Sequence, residues 1–264
     1  MVAAETSVPR KLKAEHLLLD WAPLLLLIAV YEGLRDLVPL IGASPHNLAW
    51  VDLDLFGGQL PTTWLQTRFY QARPLGWEDS VATTVYFLYY LVPLVVGLLW
   101  WLRSRTSYYR YAGALLTLCA LAFITYVVMP TVPPWLAYPH SVHEITDATI
   151  AEWNLPSQLV SIYLHHDYDL DAAFPSLHAA FPVVLIYYGW MRSRPLGALM
   201  AVYASLVWLA IVFLGEHYVV DILGGIAYAI VAIVAVETVT RHRIRRRTQT
   251  PAGVSTSEAA VVRT

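Results

Sequence analysis

Two histidines and an aspartate stand where a chain of this kind rarely places ionisable groups. His178 ends the stretch Ala172-Ala173-Phe174-Pro175-Ser176-Leu177-His178, and His217 and Asp221 lie in Gly215-Glu216-His217-Tyr218-Val219-Val220-Asp221. Each stretch lies at the edge of a long apolar run, where hydropathy falls. Ionisable side chains at such depths are costly and point to a functional site. Pro175 fits the first turn of a helix, which gives Ser176, Leu177 and His178 backbone N–H groups without intrahelical partners. A helix start of that kind binds phosphate through those groups and through its dipole. If a helix begins near Glu216, His217 and Asp221, four residues apart, share one of its faces. Asp221 then accepts from one imidazole nitrogen and leaves the other to attack. The set suits phosphoryl transfer. His217 attacks phosphorus, a phosphohistidine forms, and His178 protonates the leaving oxygen before serving as base for the acceptor. That mechanism requires the two imidazoles to lie within ~10 Å of each other. It needs no metal and no other cofactor if arginines neutralise the phosphate.

The elements that must carry these residues are membrane helices. The 264-residue chain is 58% hydrophobic and 14% charged, with a mean hydropathy of +0.52. Those values lie outside the soluble range and indicate an all-α polytopic membrane protein. Six segments approach the ~20 residues a bilayer requires: 16–37, 81–102, 109–129, 173–191, 197–216 and 218–239. Asp20 and Pro23 interrupt the first, which is read as a retained helix and not as a signal peptide. With both termini cytoplasmic, fourteen of the seventeen Lys and Arg residues lie inside, and the reverse orientation would invert that ratio. His178 and His217 then meet the same, outer face of a six-helix bundle. Residues 1–15 form a cytoplasmic N-terminus, 16–240 one catalytic domain, and 241–264 a basic and then disordered cytoplasmic tail.

Two outer regions join the helices. In residues 38–80, Val51-Asp52-Leu53-Asp54-Leu55-Phe56 alternates before Gly57-Gly58 turns the chain. Pro61 starts a short interfacial helix through Tyr70, with Trp64, Leu65 and Phe69 as its apolar side. Residues 130–172 open on Pro130-Thr131-Val132-Pro133-Pro134-Trp135, which cannot be helical throughout. They close on His165, His166, Asp167, Asp169 and Asp171, better read as a solvated acidic loop than as a cation site. Only Arg35, Arg68 and Arg73 lie outside, so these three are the candidates for phosphate binding, with Ser176 and Leu177 at the helix start.

Phe174-Pro175-Ser176-Leu177-His178 together with His217-Tyr218-Val219-Val220-Asp221 resembles the second and third motifs of the type 2 phosphatidic acid phosphatase superfamily. Within it the chain is most similar to the inositol phosphorylceramide synthase-like branch, which shares an upstream Pro-Pro-Trp like Pro133-Pro134-Trp135. The resemblance covers about residues 81–240, and 47–70 more loosely. It implies a six-helix bundle with His217 as nucleophile, Asp221 as its partner and His178 as acid and base. Two departures stand out. The family's Ser-Arg pair ahead of the third-motif histidine is Ala210-Ile211 here, and its Lys-x6-Arg-Pro motif survives only as Gln66 through Arg73-Pro74.

The resulting expectation is a multi-pass enzyme, at the plasma membrane, that takes a lipid phosphate from the outer leaflet. It leans to inositolphosphotransferase-like transfer, with inositol or another polyol as acceptor, and has no nucleic-acid partner. The alternative within the same chemistry is a lipid or polyprenyl phosphate phosphatase, with water as acceptor. Ser176 as a nucleophile is disfavoured because no Gly-x-Ser-x-Gly frame surrounds it. A transporter or scaffold is disfavoured because the charged set lies at one surface while the helix middles are apolar.

Overall fold

The computed structural model describes residues 18–23, 25–26, 44–70, 74–156 and 172–249. Among them are nine helices: α1 (Ala49–Leu55), α2 (Pro61–Phe69), α3 (Trp77–Arg103), α4 (Arg105–Val128), α5 (Pro134–Ala137), α6 (Ile145–Glu152), α7 (Leu177–Arg192), α8 (Arg194–Phe213) and α9 (Val219–Gln249). A helical stretch within 18–26 precedes them. No strand forms among the described residues. Isolated bridges link His46 to Thr131 and Thr131 to Ala172.

The α4, α8 and α9 helices are each long and apolar enough to cross a membrane. The α3 helix makes a fourth if its two halves, bent by 40°, count as one span. The bend falls between Tyr89 and Leu91. Pro93, which lacks an N–H, withholds the hydrogen bond that the Tyr89 carbonyl would receive in a regular helix. The fourth expected span is shorter than the sequence reading has it. Residues 173–176 are spent on the approach to α7, and the helix proper has 16 residues, about 24 Å at 1.5 Å per residue. The first expected span, 16–37, lies mostly outside the described residues.

Two tight corners hold the helices in antiparallel pairs. Ser104 separates α3 from α4 and accepts the Ser107 N–H at 3.3 Å, and Ser193 separates α7 from α8 and accepts the Leu196 N–H at 3.4 Å. Each serine ends one helix and caps the next, because its short hydroxyl reaches the first orphan N–H groups. These corners lie at the end of the bundle remote from the histidines. There the Arg105 guanidinium pairs with Asp20, whose carboxylate also accepts from Trp101 Nε1 at 2.7 Å. Arg110 pairs with the buried Glu237, which accepts from Tyr188 at 3.1 Å. The acidic interruption at Asp20 is therefore an ion pair with the α3–α4 corner.

At the centre, α7 packs against α8, α9, α3 and α4. Small residues let the backbones close up: Ala179, Ala180, Ala229 and Ala232 are all fully buried, as at membrane helix interfaces generally. The closest approach is at Gly224-Gly225. A Cβ on Gly224 would come within 2.3 Å of the Phe174 ring, and one on Gly225 within 2.3 Å of the Ser176 carbonyl oxygen.

A backbone oxygen cannot step aside as a flexible side chain can. Gly225→Ala is expected to lower stability by about 1–3 kcal/mol, the usual cost of overpacking, read as a lower midpoint of thermal unfolding in detergent. An unchanged midpoint would refute this contact.

Candidate active site

The N-terminus of α7 and the turn before α9 meet at one end of the bundle. Ser176 is the N-cap of α7, and its hydroxyl accepts the Ala179 N–H at 3.2 Å. The helix therefore starts at Leu177, two residues later than a start at Pro175 would put it. The Ser176 N–H is already engaged, donating to the Asp221 carbonyl at 3.1 Å. Ser176 is fully buried, and the structure gives it the role of a cap and a tie. The Leu177 N–H has no partner among the described residues. Tyr126 secures the approach by donating to the Pro175 carbonyl at 2.7 Å.

The α9 helix starts at Val219, so His217 precedes it and the shared-face geometry expected from a start near Glu216 does not apply. The contact forms by another route. The chain leaves α8 at Phe213 and turns through Gly215 at φ +88°, a left-handed conformation that favours glycine. A Cβ there would also press on the His143 carbonyl oxygen at 3.0 Å. The Ile211 carbonyl then accepts from both Glu216 and His217, at 3.0 and 3.2 Å. Asp221 folds back to accept the Tyr218 N–H at 2.9 Å. With that, His217 Nδ1 lies 3.5 Å from Asp221 Oδ2, an ion-pair distance that is long for a hydrogen bond. The opposite ring nitrogen, Nε2, lies 3.2 Å from His178 Nδ1, well inside the ~10 Å limit set by a shared phosphate. His217 is 6% exposed and Asp221 fully buried.

Other contacts at the site escape a reading of motifs. Tyr86 and Tyr89 on α3 enclose the His178 ring, with centroids 4.6 and 4.1 Å away. Their spacing of three puts them on one helix face, a signal easily lost in an aromatic run that also reads as core. Asp52 on α1 is 1% exposed and accepts the Val219 and Val220 N–H groups at 2.8 and 2.9 Å. Burial pushes its carboxyl above the ordinary range, and the two backbone donors pull the other way. Asn47 accepts from the Tyr218 hydroxyl at 3.0 Å and from the Ala49 N–H at 2.9 Å. The alternation of residues 51–56 is thus wound into a helix, because Asn47 serves the first turn of α1 and Asp52 is drawn to α9. Trp135, next to the paired prolines, donates its N–H to the Gly215 carbonyl at 3.2 Å.

Of the arginine candidates, Arg68 falls among the described residues. Arg68 is exposed on α2, and its guanidinium lies over the Trp64 ring, 4.3 Å from the centroid. Arg35 and Arg73 lie outside the described residues, as do His165, His166, Asp167, Asp169 and Asp171. Gln66, in the place of the family's lysine, is buried. It donates to the Phe213 and His143 carbonyls at 2.9 and 2.8 Å and accepts the His143 N–H at 2.8 Å. Helix α2 therefore turns Gln66 inward and leaves Trp64 and Phe69 exposed. Ile211, in the place of the arginine, is fully buried. Among the described residues no three His, Cys, Asp or Glu side chains gather in a metal-binding group.

The chain is similar to a phosphoinositol dihydroceramide synthase of Bacteroides thetaiotaomicron, with 29% identity over 163 residues, 58% of this chain and 53% of that protein. It thus spans about half the length of that curated relative. No solved structure matches it significantly. A family model described as PAP2 superfamily matches residues 51–235, which takes in α2 to α8, both histidines, Asp221 and Asp52. On that match, over more than half its length, this helical membrane chain belongs to the PAP2 superfamily.

Proposed function

We propose that the chain is a lipid phosphotransferase that works through a phosphohistidine on His217. The observation that carries this reading is the alignment of Asp221 Oδ2, His217 Nδ1, His217 Nε2 and His178 Nδ1, with steps of 3.5 and 3.2 Å across the two ring nitrogens. Asp221 faces Nδ1, so Nε2 is the attacking nitrogen, and the neighbouring histidine stands on its side of the ring. In the first half-reaction the Nε2 lone pair forms the P–N bond as the P–O bond to the lipid leaving group breaks. His178 delivers its proton to that oxygen. In the second, an acceptor hydroxyl loses its proton to His178 and attacks phosphorus, and the P–N bond electrons return to His217. Tyr86 and Tyr89 hold the His178 ring for both steps.

Of the two helix starts at the site, α7 is the better phosphate cradle. The first N–H groups of α9 are occupied by Asp221 and Asp52, whereas α7 keeps the Leu177 N–H beside His178. Arg35, Arg68 and Arg73 remain proposed contributors of positive charge, Arg68 after leaving Trp64. The site opens to the extracytoplasmic side. The opposite end of the bundle carries Arg103, Arg105, Arg110, Arg192, Arg194 and the arginines that follow Glu237, in keeping with the positive-inside rule. The relative's name favours transfer of an inositol-bearing phosphate over release to water, so a polyol is the proposed partner of the phosphate.

The test is purified protein with phospholipid radiolabelled in its phosphate, with and without inositol. Label is expected in a new phosphate ester and, after an acid-labile trap, on the protein; label recovered as free phosphate alone would replace transferase by phosphatase. His217→Ala is expected to reduce turnover by at least about a thousandfold, and residual turnover above that level would remove His217 as nucleophile. His178→Ala is expected to cost about 10²–10⁴-fold with lipid but much less in forming the phosphoenzyme from an aryl phosphate, whose leaving group needs no proton. Equal losses on both substrates would argue against His178 as the acid.

A further inference from the structure

We propose that Asp52 is a positioning residue that fixes the orientation of His217. This assignment rests on the phosphotransfer reading above. His217 has no helix of its own to orient it: it lies in the turn between the last residue of α8 and the first of α9. The front of that turn is held by the Ile211 carbonyl, through Glu216 and His217. The rear is held by the first N–H groups of α9, two of which, Val219 and Val220, end on the Asp52 carboxylate at 2.8 and 2.9 Å.

The unusual feature is where this cap comes from. A helix start normally takes its acceptor from the N-cap residue itself, through Ser, Thr, Asp or Asn. Position 218 here is Tyr, whose hydroxyl goes instead to Asn47 at 3.0 Å. The acceptor comes from a residue more than 160 positions earlier in the chain, on a helix of its own. Burying a carboxylate is costly unless hydrogen bonds compensate it, and Asp52 is 1% exposed. A local serine would satisfy one such N–H group without burying a charge. The remote carboxylate adds something a serine could not: it ties the turn that carries His217 to residues 46–52, which are themselves joined through His46 and Thr131 to Ala172, at the approach to His178. Asp52 therefore sets His217 with respect to the segment that leads into His178.

The test compares the purified full chain with Asp52→Asn, Asp52→Glu and Asp20→Asn, the last of which weakens a half-buried tie at the far end of the bundle. Asn offers one acceptor and opposes a donor to the second N–H. Asp52→Asn is expected to lower kcat by on the order of ten- to a hundredfold, the usual penalty of a misplaced reacting group, with KM within about twofold. Asp20→Asn is expected to lower the unfolding midpoint and leave kcat unchanged. The second readout needs no turnover: in protein labelled with 15N-histidine, the His217 ring-nitrogen shifts are expected to move in Asp52→Asn and to stay in Asp20→Asn. If Asp52→Asn does not fold, Asp52→Glu, which keeps the carboxylate on a longer stem, carries the same expectations. Unmoved His217 shifts in a folded Asp52 variant, or a kcat loss shared equally by Asp20→Asn, would overturn the positioning role. Moved shifts in Asp52→Asn, with a wild-type protein that transfers no phosphate, would uphold the positioning of His217 and overturn the phosphotransfer reading instead.

Discussion

A helix that begins where little water reaches must find acceptors for its first N–H groups, and the start of α9 is where this molecule meets that demand. Three successive donors, on Tyr218, Val219 and Val220, end on two carboxylates. One of these, Asp221, belongs to the helix itself and also faces the His217 ring. The other comes from the far end of the sequence. Satisfying the backbone and orienting the imidazole are therefore one arrangement. The carboxylate that closes the turn is the one that selects which ring nitrogen faces His178. Much of the remaining structure at this end supports that turn. Gly215 allows the reversal, Gln66 holds the carbonyls beside it, and Trp135 donates to Gly215 from the other side.

The molecule divides its ionisable groups between two ends. At the end remote from the histidines, half-buried and buried charges are paired with opposite charges: Arg110 with the buried Glu237, and Arg105 with Asp20. At the histidine end, the buried carboxylates answer to backbone N–H groups and to imidazole. Opposite-charge pairs suit an anchor, because breaking one leaves an uncompensated charge. Carboxylates held by neutral donors keep their position without a fixed cation beside them. This separation fits a bundle whose one end fixes the helices in register while the other presents chemistry.

Much of this was legible in the sequence, and what was hidden has physical reasons. The motif pair announced itself because His178, His217 and Asp221 are expensive at the edge of apolar runs. The long helices showed in hydropathy, although α7 is shorter than its expected span, since an approach segment and a cap consume the first four residues, Ala173 to Ser176. The condition of a helix beginning near Glu216 is not met, because periodicity cannot see a turn closed by Asp221 onto Tyr218. Asp52 was hidden for a deeper reason. Its partners are backbone groups distant in sequence, and no local pattern records them. Gln66 was noticed only as a missing lysine, when its three hydrogen bonds make it a neutral bracket. Tyr86 and Tyr89 were invisible because an aromatic pair against a core and one against an imidazole have the same spacing.

The bond from the Ser176 N–H to the Asp221 carbonyl has a mechanical meaning. It joins the cap of one histidine's helix to the residue behind the other histidine, with Gly225 packed against the Ser176 carbonyl beside it. The two imidazoles are thus mounted on a single stiff block and not on two helices free to slide. The distance between the two imidazoles is thereby tied to one hydrogen bond between the cap of α7 and the first turn of α9.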